Sequence, residues 1–172
     1  MPSGLRLEML KVYLETDSKE VPFSLNGKQY AAVSIILFHE DIILEKRAFD
    51  RKDPWSAQYS LPGGKYEPSD LTLKTTAIRE TMEETGIDLE GEEYFGFFGP
   101  FTPLNRPGME IYPHVFLLSH KPEIITSEEI DNAYLVSIRR FNSRDKEFVF
   151  DGIRVWGVTA RILNRFCEMI GL

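Results

Sequence analysis

A stretch of fifteen residues without proline or glycine, 71–85, is the feature that most limits how this chain can fold. Ile78 and Met82 lie four residues apart within it, as expected for one face of a helix. Gly86 follows at once, where a glycine can take the left-handed conformation that ends a helix. The stretch therefore predicts a helix ending at Thr85, around which the rest of the domain has to pack.

Three carboxylates crowd one face of this predicted helix. Glu80, Glu83 and Glu84 stand at positions i, i+3 and i+4, so their side chains project to the same side. Like charges at this spacing cost roughly a few tenths of a kcal/mol per pair unless a cation lies among them. A hard divalent cation such as magnesium is bound by carboxylate oxygens and water. The alternative is a solvated helix face, but the nearby pair Gly63-Gly64 would let the backbone approach a metal or a phosphate.

The remaining patterns predict strands and two further helices. Residues 5–14 indicate a short N-terminal helix, and residues 155–170 place apolar side chains at helical spacing on one side. Apolar and β-branched runs predict two hairpins and one more strand, at residues 30–38 with 41–46, 94–101 with 111–119, and 133–138. Strands placed between long helices favour an α/β domain of the layered α/β/α kind.

Composition limits the domain count and the partners. A chain of 172 residues with 42% hydrophobic content suits one domain, with an N-terminal extension at 1–28 and the main domain at 29–172. The net charge of −7 argues against non-specific nucleic-acid binding, so we expect a small substrate. The single cysteine, Cys167, excludes an intrachain disulfide, and no apolar run suits a signal peptide or a membrane span. These features predict a cytoplasmic protein that binds neither nucleic acid nor membrane.

The glycine pair and the helix together resemble the Nudix box, G-x5-E-x7-R-E-U-x-E-E-x-G-U, where U is a bulky aliphatic residue. This chain has P-G-G-K-x-E-x-x-D followed by A-x-R-E-T-x-E-E-T-G-I. Asp70 stands where the box has its first Glu, Thr81 replaces the aliphatic residue, and the spacing from Gly64 to Arg79 is one residue longer. The longer spacing, the run T-A-I-R-E and the closing V-W-G-V-T-A-R-I-L are similar to the coenzyme A diphosphatase branch, and I-L-E-K-R-A at 43–48 matches its basic segment in part.

The resemblance implies a Nudix-type α/β/α sandwich with a mixed central β-sheet and a Mg²⁺-dependent diphosphatase, with Mn²⁺ as the other candidate ion. It implies that Arg79 fixes a catalytic glutamate rather than touching the substrate. Glu129 is our candidate for the general base, and Glu83 is the other catalytic candidate. The implied metal ligands are the carbonyl of Gly64 and the carboxylates of Glu80, Glu83 and Glu84.

The substrate class implied by the resemblance is a nucleotide derivative with a diphosphate linkage. Coenzyme A or acyl-coenzyme A would be split into 3′,5′-ADP and the phosphopantetheine half. ADP-ribose or another nucleoside diphosphate derivative is the alternative substrate, and a non-catalytic nucleotide-binding module is the alternative of another class. A homodimer also stays open. The residues predicted to contact the substrate are Lys46, Arg47, Arg51, Lys52, Gly63 and Lys65.

Overall fold

A computed structural model describes residues 5–15 and 27–172; the predicted N-terminal extension falls partly, at 1–4 and 16–26, outside the described residues. The short N-terminal helix is confirmed as α1, Leu10–Tyr13, which follows a 3-10 turn at Leu7–Met9. Leu10 and Leu14 are buried in the main core, so this segment packs on the domain rather than standing apart from it.

The predicted strands are confirmed, with small shifts in their bounds, and two long helices accompany them. The helices are α2, Leu73–Thr85, and α3, Gly157–Ile170. The strands are β1 Gln29–Phe38, β2 Asp41–Arg47, β3 Tyr59–Ser60, β4 Gly63–Lys65, β5 Glu93–Phe97, β6 Met109–Leu117, β7 Ile130–Ser137, β8 Phe148–Phe150 and β9 Ile153–Val155. The short strands β3 and β4 were not predicted, and neither was the β8–β9 hairpin, a separate two-stranded sheet.

The main sheet is mixed, because β1 pairs in parallel with β6 while its other pairings are antiparallel. β1 and β2 pair only beside their connecting turn, at Leu37 with Ile42 and at Phe38 with Asp41. Beyond that point β4 pairs with β1 and β3 pairs with β2. The segment 59–65 therefore lies where the two central strands separate, and it carries the glycine pair there.

Alternate side chains of the central strands face different helices. Ala32, Ile36 and Ile43 pack in one apolar cluster with Leu73 and Ala77 of α2. Ile35 and Leu44 pack in the other cluster, which holds the apolar side of α3. Because side chains alternate across a strand, the two helices cover opposite faces of the sheet. The predicted α/β/α sandwich is thus confirmed.

Two predicted helix starts are wrong by two residues. Helix α2 begins at Leu73 because the Thr72 hydroxyl accepts a hydrogen bond from the Thr75 N–H, and Leu71 has φ 64. Helix α3 begins at Gly157, since Val155 still belongs to β9. The predicted end of α2 is confirmed, because Gly86 adopts the left-handed conformation. Among the described residues, no helix has the length and apolar character needed to cross a membrane.

Candidate active site

The glycine pair is required by two close approaches of the backbone. A Cβ atom at Gly63 would collide with the carbonyl oxygen of Ala32, and one at Gly64 would collide with the carboxyl group of Glu80. The N–H of Gly63 also donates a hydrogen bond of 2.9 Å to Glu84 Oε2. The pair therefore brings the β4 backbone against two of the predicted metal ligands, as the sequence pattern predicts.

Arg79 holds the start of the box against α2. Its guanidinium donates to both carboxylate oxygens of Asp70, at 2.6 and 2.9 Å, and to the carbonyl of Lys65 at 3.1 Å. Asp70 is buried and also accepts hydrogen bonds from the Thr76 hydroxyl and the Glu67 N–H, both at 2.9 Å. Burial by itself would raise the pKa of Asp70, but these hydrogen bonds and the charge of Arg79 hold it below its usual value.

The same guanidinium contacts two of the predicted metal ligands. Arg79 Nη1 lies 2.9 Å from Glu80 Oε1 and 3.3 Å from Glu83 Oε2. Burial raises the pKa of Glu80; the charge of Arg79 opposes this, and the charges of Glu83 and Glu129 add to it. Glu83 is exposed, whereas Glu80 is only partly accessible. Arg79 therefore orients the carboxylates from the side, which agrees with the indirect role that the resemblance implies.

Glu84 lies deeper, at the boundary between α2 and β2. It is buried, and the Nη1 atom of Arg47 lies 3.7 Å from its Oε1 atom. Arg47 makes a shorter contact of 2.9 Å with Asp53 in the following loop. Burial is the main cause that raises the pKa of Glu84, and the charge of Glu80 adds to it. Glu84 is thus a buried carboxylate, and its basic neighbour Arg47 lies closer to Asp53 than to Glu84.

A cavity of about 760 Å³ opens beside these carboxylates. Its acidic wall is formed by Glu67, Glu80, Glu84 and Glu129. Facing these is an apolar wall that includes Trp55, Leu104, Met109, Ile111, Trp156 and Ile162. The cavity lies where β1 and β2 separate, and its volume suits a nucleotide-sized molecule. Phosphate groups could therefore meet the acidic wall through a cation while a less polar part of the ligand contacts the apolar wall.

Several of the predicted substrate-binding residues line this cavity. Gly63, Lys65 and Arg47 do so, as does the predicted base Glu129. Lys46 does not line it and pairs in the sheet with Tyr59 and Asn132. Arg51 and Lys52 are exposed in the loop after β2, also away from the cavity lining. Among the predicted basic residues, the cavity therefore collects Arg47 and Lys65.

Three residues at or beside the site were not predicted. Trp156 stands at the N-cap position of α3, is 45% exposed and lines the cavity. Trp55 lines the cavity from the loop after β2, with the guanidinium of Arg106 4.6 Å from its ring centroid. Glu45 is completely buried in β2 and faces Glu84. Glu45 carried a signal, a charge inside the apolar run I-I-L-E-K.

The acidic residues fit a divalent cation by their chemistry. Two guanidinium groups, those of Arg79 and Arg47, meet five carboxylates, so the site has a surplus of negative charge; the five are Asp53, Asp70, Glu80, Glu83 and Glu84. Hard cations prefer such oxygen ligands. Within the described ranges, no three acidic or histidine side chains already converge on one point, and Glu80 and Glu83 are turned toward Arg79 instead.

Comparisons with known proteins agree with this geometry. The model of the NUDIX domain matches residues 28–152. The chloroplastic Nudix hydrolase 22 of Arabidopsis thaliana is 31% identical over 173 residues, 81% of this chain and 55% of that protein. The uncharacterized Nudix hydrolase NudL of Yersinia enterocolitica is 24% identical over 168 residues, 87% of this chain and 85% of that protein. The crystal structure of a NUDIX hydrolase from Nitrosomonas europaea has a TM-score of 0.62 and 20% identity, covering 83% of this chain and 72% of that one. The chain belongs to the NUDIX domain family and is a Nudix hydrolase, an enzyme that acts on phosphoric anhydride bonds.

Proposed function

We propose that this enzyme hydrolyses the diphosphate linkage of a nucleotide derivative, and that coenzyme A or an acyl-coenzyme A is its substrate. The observation that carries the proposal is one cavity in which Glu80, Glu84 and Glu129 face an apolar wall, with Arg47 and Lys65 also on the lining. A diphosphate joined to a long, partly apolar arm matches these two walls. The products would be 3′,5′-ADP and the phosphopantetheine half.

The cation is proposed to be Mg²⁺, with Mn²⁺ as a substitute. The groups that would hold it are the Gly64 carbonyl, Glu80 and Glu84, with Glu83 in support. When bound, such an ion neutralises charge on the diphosphate oxygens and lowers the pKa of water. The surplus of carboxylates over guanidinium groups supports this assignment.

The protein's own residues supply orientation and proton transfer. Arg79 holds Asp70 and Glu80 together, so it fixes the position of a ligand without facing the substrate. Lys65 and Arg47 line the cavity and can meet phosphate oxygens by charge-assisted hydrogen bonds. Glu129 lies on the exposed end of the acidic wall, where a carboxylate could take a proton from the attacking water.

The role of Glu129 is tested by Glu129→Gln. If Glu129 is the base, the variant lowers kcat far more than it raises KM, because the lost proton transfer acts on the chemical step. Glu128→Gln removes the same charge one residue away, outside the cavity lining, and we expect it to stay within about twofold of the wild type. A normal kcat for Glu129→Gln would assign the base to Glu83 or Glu128.

The substrate is tested by kcat/KM with Mg²⁺ for coenzyme A, its 3′-dephosphorylated form and ADP-ribose, with the products identified by mass. Coenzyme A should be preferred over the dephosphorylated form by about tenfold or more, which one charge-assisted contact to the 3′-phosphate would give. Equal rates on the two forms would contradict recognition of the 3′-phosphate.

One observation favours the alternative substrate class. Lys46, Arg51 and Lys52, basic residues that were predicted to contact the substrate and whose charge would suit the 3′-phosphate of coenzyme A, do not line the cavity. A nucleoside diphosphate derivative without that phosphate, such as ADP-ribose, would need only Arg47 and Lys65. A preference for ADP-ribose would select this second function, and absence of hydrolysis with tight nucleotide binding would select a non-catalytic module. The cytoplasmic location and the homodimer stay predictions.

A further inference from the structure

Glu45 is a buried carboxylate outside the proposed set of metal ligands, base and substrate contacts. It lies near the end of β2, opposite Ser60 of β3 and Ala133 of β7, and its exposed fraction is 0%. Within the described part of the chain, neither of its carboxylate oxygens has a hydrogen-bond partner. A carboxylate removed from water in this way is costly unless a partner compensates for it. A group that binds carboxylate oxygens, such as a hard cation, would compensate for this burial.

The groups around Glu45 supply only part of that compensation. Burial and the neighbouring Glu84 raise its pKa by more than Arg47 and Ser60 lower it. Glu84 of α2 faces it and is itself negatively charged when ionised. Arg47, two residues further along β2, is the neighbouring cation, but it makes its 2.9 Å contact with Asp53 and its 3.7 Å contact with Glu84. Glu45 and Glu84 thus form a pair of buried acidic groups, and the nearby guanidinium of Arg47 pairs with Asp53 and, at longer distance, with Glu84.

We propose that Glu45 is a ligand of a divalent cation that it shares with Glu84. The inference rests on the proposed metal-dependent function. A hard cation between the two groups would occupy the unpartnered oxygens of Glu45 and the Oε1 side of Glu84, while Gly63 N–H keeps Oε2 in place. The alternative is a proton shared between the two carboxyl groups. When the carboxylate of Glu45 is replaced by an amide, the first arrangement predicts weaker binding of the cation and the second predicts unchanged binding.

The test is Mn²⁺ binding to the metal-free protein, followed by the electron paramagnetic resonance of free Mn²⁺. Glu45→Gln keeps the size of the side chain and removes its charge. We expect it to lose one bound Mn²⁺ or to weaken Mn²⁺ binding by about tenfold or more. Glu93→Gln, an exposed glutamate of β5, should stay within about twofold of the wild type. Unchanged number and affinity of Mn²⁺ in Glu45→Gln would overturn the proposal in favour of the shared proton.

Thermal unfolding separates a binding role from a structural one. Without metal, Glu45→Gln should unfold at the same temperature as the wild type or higher, because an uncompensated buried acid has been removed. With saturating Mn²⁺, the wild type should gain more in Tm than the variant does. Equal gains in both proteins would contradict the proposal.

A second variant covers the case in which Glu45→Gln does not fold. Glu45→Asp keeps the charge but withdraws the carboxylate by one methylene, so Mn²⁺ should bind more weakly than in the wild type, and wild-type binding would overturn the proposal. No nucleotide is present in these measurements. A wrong choice of substrate therefore leaves their outcome unchanged, and failure here leaves the substrate assays to be judged by themselves.

Discussion

Two carboxyl groups beside this active site are withdrawn from solvent, and they are treated in opposite ways. Asp70 is 2% exposed and is surrounded by donors: the guanidinium of Arg79, the hydroxyl of Thr76 and a backbone N–H. Glu45 is 0% exposed and has no hydrogen-bond partner among the residues described. The pKa of Asp70 is held low, whereas burial and then the neighbouring Glu84 raise the pKa of Glu45 well above its usual value.

Burial alone therefore does not distinguish a structural carboxylate from a functional one. Asp70 is the last residue of the 3-10 turn Pro68–Asp70 before α2, and its ion pair with Arg79 holds the box in shape. Neither carboxylate oxygen of Glu45 has a hydrogen-bond partner within the described structure, and its neighbours include another acid, Glu84. A buried group without partners is therefore the better guide to where a ligand should lie.

The largest expected effect concerns Glu84, which is intermediate between Asp70 and Glu45. It accepts a hydrogen bond from the Gly63 N–H and lies 3.7 Å from Arg47, which also pairs with Asp53. Glu84→Gln should lower kcat by about 10³-fold or more while the fold survives, because it removes a proposed metal ligand but keeps the shape of the side chain. Circular dichroism checks the fold and a diphosphatase assay the rate. The wild type without metal is the control and should be folded but inactive. Near-normal turnover in the variant would remove Glu84 from the metal site.

The next effect separates Asp70 from Glu45 by stability. Asp70→Asn should lower the free energy of unfolding by about 3 kcal/mol, because it removes the buried carboxylate that pairs with the guanidinium of Arg79. Glu45→Gln, measured without metal, should leave the free energy unchanged or raise it. Urea unfolding of both variants measures this difference. If Asp70→Asn cost no more than Glu45→Gln, the contrast between the two carboxylates would be lost.

The smallest effect is on pH dependence, and its sign differs between the two groups. The pKa of Asp70 is lowered by folding, so its contribution to stability is present above the unfolded value of 3.8 and is lost as the pH falls through the folded value. The pKa of Glu45 is raised by folding, so the folded state binds the extra proton and stability falls as the pH rises above 4.5. Each group contributes at most about 1.4 kcal/mol per pH unit.

The measurement is the free energy of unfolding of the metal-free protein at about 25 °C, between about pH 3 and pH 8, which covers pH values below 3.8 for Asp70 and above 4.5 for Glu45. Asp70→Asn should flatten the acid end of the curve, and Glu45→Gln should flatten the decline above pH 4.5. A wild-type curve that rises steadily across the upper window, unchanged by Glu45→Gln, would show that Glu45 is ionised without metal.

Short sequence patterns predicted the structural features that depend on neighbouring residues, such as helix ends and tight backbone contacts. The helix 71–85 is predicted from its lack of Pro and Gly and from Gly86 at its end. Its predicted start is two residues too early, because the cap at Thr72 makes Leu73 the first helical residue. The glycine pair was recognised as a point of close backbone approach, which the contacts of Gly63 and Gly64 bear out. Thr81, unusual beside the Nudix pattern, is explained only by the fold, since its hydroxyl donates to the buried Ser34 of β1 at 2.9 Å.

The family, the helix with its three glutamates and the alternation of strands follow from the sequence, because these depend on residues close together in the chain. Which charges meet depends on the tertiary structure. It places Arg47 between Asp53 and Glu84, leaves Lys46 out of the cavity lining, puts Trp156 on that lining and buries Glu45 without a hydrogen-bond partner among the described residues. The partners of these side chains depend on where β1 and β2 separate and on which segment enters between them. The pattern of apolar residues within a single strand specifies neither of these.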